Sequence, residues 1–183
     1  MNTNRRNAII VGILILYAYA VLASSVLESK VIVMILEVLS GVAVIGIAAI
    51  MFPLFKSYNK KVSFGYLALR FIEGIIMVVG GILFLINTPT LLILRDQLYI
   101  GHAYIFIVAA LAFYYLIYQS KIVPRFIAIW GIIAALLVTI PNSLEIGTTI
   151  NILLLLPIIS NEVFLAAWLI IKGFNLPTKE IKK

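Results

Sequence analysis

Cysteine is absent from this chain of 183 residues, and histidine occurs only once, at His102. Without cysteine there can be no disulfide, no thiolate metal site and no cysteine nucleophile. A single histidine excludes a multi-histidine zinc site and a bis-histidine haem. The HExxH, GxSxG, P-loop and GxGxxG motifs are missing as well. We therefore expect no cofactor and no metal, and we favour a non-enzymatic role over catalysis.

Charge is also scarce, because charged residues make up 11% of the chain and hydrophobic residues 64%, with a mean hydropathy of +1.19. A soluble domain has about a quarter charged residues and about half apolar ones, so this composition excludes a water-soluble fold. The net charge of +7 would suggest nucleic acid in a soluble protein. Here it is better interpreted as membrane topology, and we expect no nucleic-acid partner.

Long apolar runs are the dominant feature of what is present. A helix of about 20 apolar residues crosses the hydrocarbon core of a bilayer, and six runs approach or exceed this length. The connections between them are too short for an extramembrane domain. The sequence therefore predicts an all-α fold, a single domain over residues 1–183 with six transmembrane helices at about 8–27, 31–55, 63–86, 98–118, 126–140 and 147–171.

Basic residues alternate between loops in a way that predicts the orientation. Lys30 and Arg95 fall on one side and Arg70 lies within a span, while the other eleven basic residues fall on the opposite side. Cytoplasmic loops collect Lys and Arg, so we predict cytoplasmic N- and C-termini in a multi-pass protein of the cytoplasmic (inner) membrane. The first run is long for a signal peptide, so we expect it to remain in place although Ala23-Ser24 imitates a cleavage site.

Polar residues inside the runs are the candidate site. An Arg or Glu at mid-helix costs about 2.5–3.5 kcal/mol on insertion scales, so such residues are expected to face the bundle interior. Arg70 and Glu73 are three residues apart and share a helical face with Tyr66. Counting the rise per residue places Asn161 and Glu162 at the same depth. We therefore predict one ligand- or proton-binding cluster of Arg70, Glu73, Asn161 and Glu162.

The charge balance of this set suggests a function. Arg70 can neutralise one carboxylate, whereas Glu37, Glu73 and Glu162 supply three, which leaves two negative charges. We expect Arg70 and Glu73 to form the pair and Glu162 to carry a proton or bind a cation. Glu37, His102, Tyr66 and Asn142 are secondary candidates, and the alternatives for Glu37 and His102 are interfacial or simply hydrogen-bonded positions.

Tyrosines divide into two predicted classes. Tyr114, Tyr115 and Tyr118 cluster near the cytoplasmic end of the fourth run and are interpreted as interfacial anchors. Tyr17 and Tyr19 lie inside the first run, where a hydroxyl needs a partner, so we expect them to face the bundle.

Three stretches carry a resemblance: FPLFKSYNKKVSFGYLALRFIEG at 52–74, YYLIYQSKIVPRFIAIWG at 114–131 and NEVFLAAWLIIKGF at 161–174. They resemble the Arg-x-x-Glu helix, the Val-Pro-Arg turn and the terminal Glu segment of the domain of unknown function 4386, a family of small prokaryotic multi-pass membrane proteins. The resemblance supports six helices and implies that Arg70, Glu73 and Glu162 are the family's polar positions. It implies no reaction or substrate.

Three classes of function remain open at this point. The first is binding or carrying of a proton, a cation or a small polar ligand by the buried cluster, as in a transporter. The second is a membrane regulatory or assembly partner, or a homo-oligomer, in which the polar network only fixes the helices. The third is an intramembrane enzyme acting on lipid. In each case the bilayer is the surrounding solvent.

Overall fold

The computed structural model describes residues 3–19, 21–22, 27–143 and 148–175. All regular structure in this part of the chain is helical, so the all-α prediction is confirmed. The helices are α1 (Thr3–Ala18), α2 (Lys30–Lys56), α3 (Lys60–Ile86), α4 (Pro89–Ser120), α5 (Arg125–Leu137), α6 (Thr139–Ser143) and α7 (Thr148–Ile171). Four of them are long and apolar enough to cross a membrane: Lys30–Lys56, Lys60–Ile86, Pro89–Ser120 and Thr149–Ile171. The length and composition of these helices indicate a membrane protein.

Several predicted boundaries were wrong. The first helix ends at Ala18, and the cleavage-like pair Ala23-Ser24 lies outside the described residues. The fifth run forms α5 and the short α6 instead of one helix. The largest error concerns α4, which begins at Pro89 and not near residue 98. Proline at the first helical position has a backbone preset for starting a helix, and this signal outweighs the charge of Arg95, which had been assigned to a loop.

The helices form a closed ring. Along the chain, α1 packs on α2, α2 on α3, α3 on α4 and α4 on α5, and α5 and α1 both pack on α7. The small α6 lies against α4, α5 and α7. Because the last long helix is inserted between the first and the fifth, side chains from α1, α3 and α7 face one common interior.

Glycines allow α2 and α3 to approach closely. A Cβ atom added to Gly41 would lie 2.5 Å from the Gly74 carbonyl oxygen, and one added to Gly74 would lie 2.6 Å from that of Gly41. Small residues permit such backbone contact where no hydrophobic effect drives helices together. The contact holds the two helices that carry Glu37 and Glu73 in a fixed relation.

The ring is fastened where α1 meets the end of α7. Arg5 donates hydrogen bonds to the carbonyl oxygens of Leu169 at 3.1 Å, Ile170 at 2.6 Å and Ile171 at 3.1 Å. The last carbonyls of a helix have no partner within the helix, and a cation there also suits the helix dipole. Gly173 follows with a φ of +79°, the left-handed backbone that commonly ends helices.

Candidate functional site

Arg70 and Glu73 of α3 form the ion pair that their spacing predicts. Arg70 Nη1 donates to both carboxylate oxygens of Glu73 at 2.9 Å, and both residues are buried. The guanidinium also lies 5.7 Å from the Tyr66 ring centre and 5.6 Å from that of Phe106. Cation–π contacts of this kind stabilise a desolvated guanidinium. Arg70 is thus held by one acid through Nη1 and flanked by two aromatic rings.

Glu162 of α7 faces this pair and forms no ion pair with any residue that the structure describes. It interacts electrostatically with Arg70, and the tyrosines Tyr19 and Tyr114 lie beside its carboxylate. Even so, its Oε1 atom is buried and accepts no hydrogen bond, and the Tyr114 hydroxyl likewise has no hydrogen-bond partner. A buried polar atom without a partner costs free energy, which makes Glu162 the incomplete part of the arrangement.

A cavity of about 190 Å³ lies between these groups. We call it the central cavity. Among the described residues, its polar lining consists of Tyr19, Tyr66, Arg70, Glu73 and Glu162, and the rest of the wall is apolar side chains from α1, residues 21–22 after it, α2, α3, α4 and α7. Taking about 30 Å³ per water molecule, this space holds about six waters. The arrangement can therefore accommodate a small guest with one polar end.

Asn161 does not join the cluster, contrary to the prediction. It is fully buried, and its Nδ2 donates to the Ile127 carbonyl oxygen of α5 at 3.0 Å. Consecutive helical residues point about 100° apart, because a turn takes 3.6 residues. Asn161 and Glu162 therefore face different neighbours. The sequence predicted that they lie at the same depth, but equal depth does not determine the direction in which each side chain points.

Glu37 belongs to a second, separate pair. Its Oε1 contacts Arg95 Nη2 of α4 at 2.5 Å, and only 1% of its side chain is exposed. Arg95 in turn lies over Phe84 and Tyr99, 5.0 and 4.6 Å from their ring centres. The interfacial alternative for Glu37 is thus wrong, and so is the surplus of two negative charges. Among the described residues of the bundle interior, two bases face three acids, which leaves Glu162 in excess.

His102 stands between the two pairs. Its Nε2 atom lies 3.9 Å from Glu73 Oε1 and has no hydrogen bond. The side chain also lines a second cavity, of about 380 Å³, together with residues of α4, α7 and the segment 138–141. Tyr66, the other secondary candidate in this region, lines the central cavity. The side chain of Asn142 lies outside the described residues.

Sequence reasoning misjudged three aromatic or basic positions. Tyr114 is fully buried and packs against Gly131, where an added Cβ would overlap its ring, so it is no interfacial anchor. Tyr17 is 39% exposed and does not face the interior, whereas Tyr19 does. Arg95 had been assigned to a loop. The glycine on α5 and the proline that begins α4 are the sequence signals that could have corrected the first and the third.

Within the part of the chain that the structure describes, no three His, Asp or Glu side chains are grouped in a way that could hold a metal ion. The polar lining of the central cavity is one arginine, two glutamates and two tyrosines among the described residues.

Comparison with known proteins gives one finding. The model of the family described as "Domain of unknown function (DUF4386)" matches residues 8–173. No curated protein and no solved structure matches the chain.

Proposed function

The chain belongs to the DUF4386 family, and from this premise we propose that it binds a proton or one small organic cation in its central cavity. We further propose that the six longer helices all cross the cytoplasmic membrane, with both termini on the cytoplasmic side. The eleven basic residues on that side support this orientation.

The single observation that carries the proposal is the carboxylate of Glu162, which has no ion pair of its own among the described residues and whose buried Oε1 accepts no hydrogen bond. Arg70 is held by Glu73 in a two-oxygen contact, so Glu162 must share a base that is already engaged. An isolated charge in a low-dielectric interior is strongly unfavourable, and the usual solutions are a proton or a counter-ion. With Arg70 at +1 and two glutamates at −1, the centre is neutral when it holds one additional positive charge.

The cavity wall indicates what kind of cation fits. Apart from the five polar residues, the described residues of the wall are apolar, and a strongly hydrated metal ion would lose its water there without enough oxygen ligands among them to replace it. A primary ammonium on a short hydrocarbon body matches both parts of the wall. Its head would face Glu162 and its body would contact side chains such as Ile15, Val44 and Leu155.

Transport of such a cation across the membrane would be an extension of this binding proposal. A transporter needs a central site that becomes accessible from each side in turn. The central cavity, which α3 and α7 line together with other helices, is the site that such a mechanism would use. Flux that is lost in Glu162→Gln would support carriage in addition to binding.

The second candidate function is a purely structural network in a regulatory or assembly partner. The Glu37–Arg95 contact favours it, because this pair joins α2 to α4 and has no acid in excess. An intramembrane enzyme acting on lipid is a third option, which requires His102 or a glutamate within hydrogen-bond reach of a reacting group.

The binding test compares n-butylammonium with n-butanol, its neutral counterpart of similar size. The purified protein in lipid nanodiscs is dialysed against each labelled probe, and empty nanodiscs give the background. We expect one butylammonium per chain, and an affinity about thirtyfold lower in Glu162→Gln, since losing one partner of a buried charge pair costs about 2 kcal/mol or more. Butanol should bind both proteins equally.

Glu28→Gln is the matched control, because Glu28 is an exposed acid outside the cavity, and it should bind like the wild type. Infrared titration covers the proton alternative: a protonated-carboxyl band that disappears in Glu162→Gln supports proton binding. If butylammonium binds equally with and without Glu162, or if every glutamate is ionised at neutral pH with no cation bound, the proposal is wrong.

A further inference from the structure

His102 is the only acidic or basic side chain among the described residues that line the second cavity. At the same time its Nε2 atom is 3.9 Å from Glu73 Oε1, and Glu73 lines the central cavity. One side of His102 therefore faces the second cavity, and the other side faces Glu73 of the central cavity. Since Nε2 has no hydrogen bond and the gap to Glu73 exceeds 3.5 Å, a small rotation or one bridging water would complete a hydrogen bond to Glu73.

The wall between the two cavities is apolar. Phe106 and Leu155 belong to the lining of both, so one face of each side chain borders each space. An organic cation cannot pass through this wall while these side chains stay in place. The His102–Glu73 contact runs beside the wall and is the polar connection that the structure offers around it.

The charges around His102 come from two neighbouring helices. Glu73 and Arg70 approach it from α3 and Glu37 approaches it from α2, and the ring of Tyr99 lies 5.5 Å away on its own helix. On the other side, α6 contains no acid or base and α5 contains only Arg125, at its first residue. Among the described residues, the acid that contacts the imidazole is therefore Glu73, which also holds Arg70.

We propose that His102 is the proton-exchange residue of this site and passes protons between the second cavity and Glu73. One ring nitrogen takes a proton from water in the second cavity, and Nε2 releases its proton to Glu73 Oε1. The imidazole ends neutral with its proton on the other nitrogen, and ring rotation restores the starting form. This inference rests on the proposed function, because it supplies the proton that the central site uses.

Protonation of Glu73 has a consequence for Glu162. A neutral Glu73 no longer holds Arg70 by charge, so the guanidinium becomes free to pair with Glu162, with which it already interacts. Before the transfer, one arginine, two carboxylates and a bound cation sum to zero. Afterwards, one arginine and one carboxylate also sum to zero, without the cation. A proton arriving through His102 therefore displaces the organic cation, and by linkage the cation expels the proton.

The test measures how fast protons reach the buried glutamates. The protein in nanodiscs is subjected to a rapid pH drop, and the protonated-carboxyl infrared band is followed in time and assigned with Glu73→Gln and Glu162→Gln. We expect His102→Gln to slow the rise about a hundredfold, the lower end of what a positioned proton-transfer group contributes, and to leave the final amplitude unchanged. Ala103→Val is the matched control, because it alters the second cavity without removing a titratable group.

Chemical rescue separates proton transfer from a structural role. In His102→Ala, dissolved imidazole can enter the space left by the side chain, and we expect it to restore a fast rise. A rise in His102→Gln at the wild-type rate, or a slow His102→Ala that imidazole does not accelerate, overturns the inference. Butylammonium binding to the wild type reports on the proposed function separately. If the wild type shows no protonated-carboxyl band at any pH, proton exchange at this site is overturned as well.

Discussion

The bundle contains two buried arginine–glutamate pairs that share the same chemistry and differ in connectivity. Arg70 and Glu73 lie three residues apart on α3, whereas Glu37 and Arg95 come from α2 and α4. Both guanidiniums contact two aromatic rings. A pair within one helix cannot hold two helices together, but a pair between helices can. The first pair borders a cavity and an acid with no ion pair of its own among the described residues, and the second joins α2 to α4.

This difference shows that the role of a buried ion pair depends on the charges and the space around it. Removing one partner from a buried pair is costly wherever it lies, so stability alone does not reveal function. What distinguishes the Arg70 pair is the third charge, Glu162, and the space beside it. Three substitutions test this contrast, and their expected effects on stability range from large to small.

Arg95→Leu should have the largest effect. It leaves Glu37 buried without a base, so we expect the free energy of unfolding to fall by about 3–5 kcal/mol, measured by reversible denaturation in mixed micelles. The double variant Glu37→Gln/Arg95→Leu removes both charges and should recover part of the loss. If Arg95→Leu is as stable as the wild type, the pair does not fasten α2 to α4.

Gly41→Ala should have an intermediate effect. The new methyl group would meet the Gly74 carbonyl oxygen and force α2 away from α3, and overpacking of this kind costs about 1–3 kcal/mol. Gly65→Ala on α3 is the control, because an added Cβ there meets nothing within 4 Å. The same denaturation assay should find the control within about 1 kcal/mol of the wild type. Equal stability of the two variants would contradict close α2–α3 contact.

Glu162→Gln should have the smallest effect on stability and the largest on binding. Its carboxylate has no ion-pair partner to lose, so we expect unfolding to change by less than about 1 kcal/mol, while butylammonium affinity falls as proposed above. Thermal unfolding monitored by circular dichroism, with and without butylammonium, measures both. If Glu162→Gln strongly destabilises the protein in the absence of butylammonium, Glu162 has a structural role like that proposed for Glu37.

The fold was largely predictable, because apolar length and short connections determine helices in a membrane. Local spacing also predicted the Arg70–Glu73 pair, since residues three apart on a helix are neighbours. Depth could be estimated for Asn161 and Glu162, but their directions could not. The rotation of a helix is decided by its packing partners, and a buried asparagine found its acceptor on α5.

The other wrong predictions concern residues whose contacts are distant in the sequence. Arg95 resembled a loop residue until Glu37, 58 positions away, supplied its partner. Tyr114 resembled an interfacial tyrosine until Gly131 made room for its ring. The central cavity could not be predicted either, because its wall combines α1, α2, α3, α4 and α7. Composition indicates which side chains are buried but not which helices meet around a space.

The clamp between Arg5 and the end of α7 joins two helices that the ribosome synthesises far apart in time. Its donor and its acceptors are 164 to 166 positions apart, so α2 to α6 are translated before the arginine can reach its acceptors. Of the two long helices that α1 packs against in the described part of the chain, α2 is then present and α7 is not, and the central cavity lacks the wall that carries Glu162. A nascent chain should therefore gain its binding capacity in one late step, when α7 enters the bilayer.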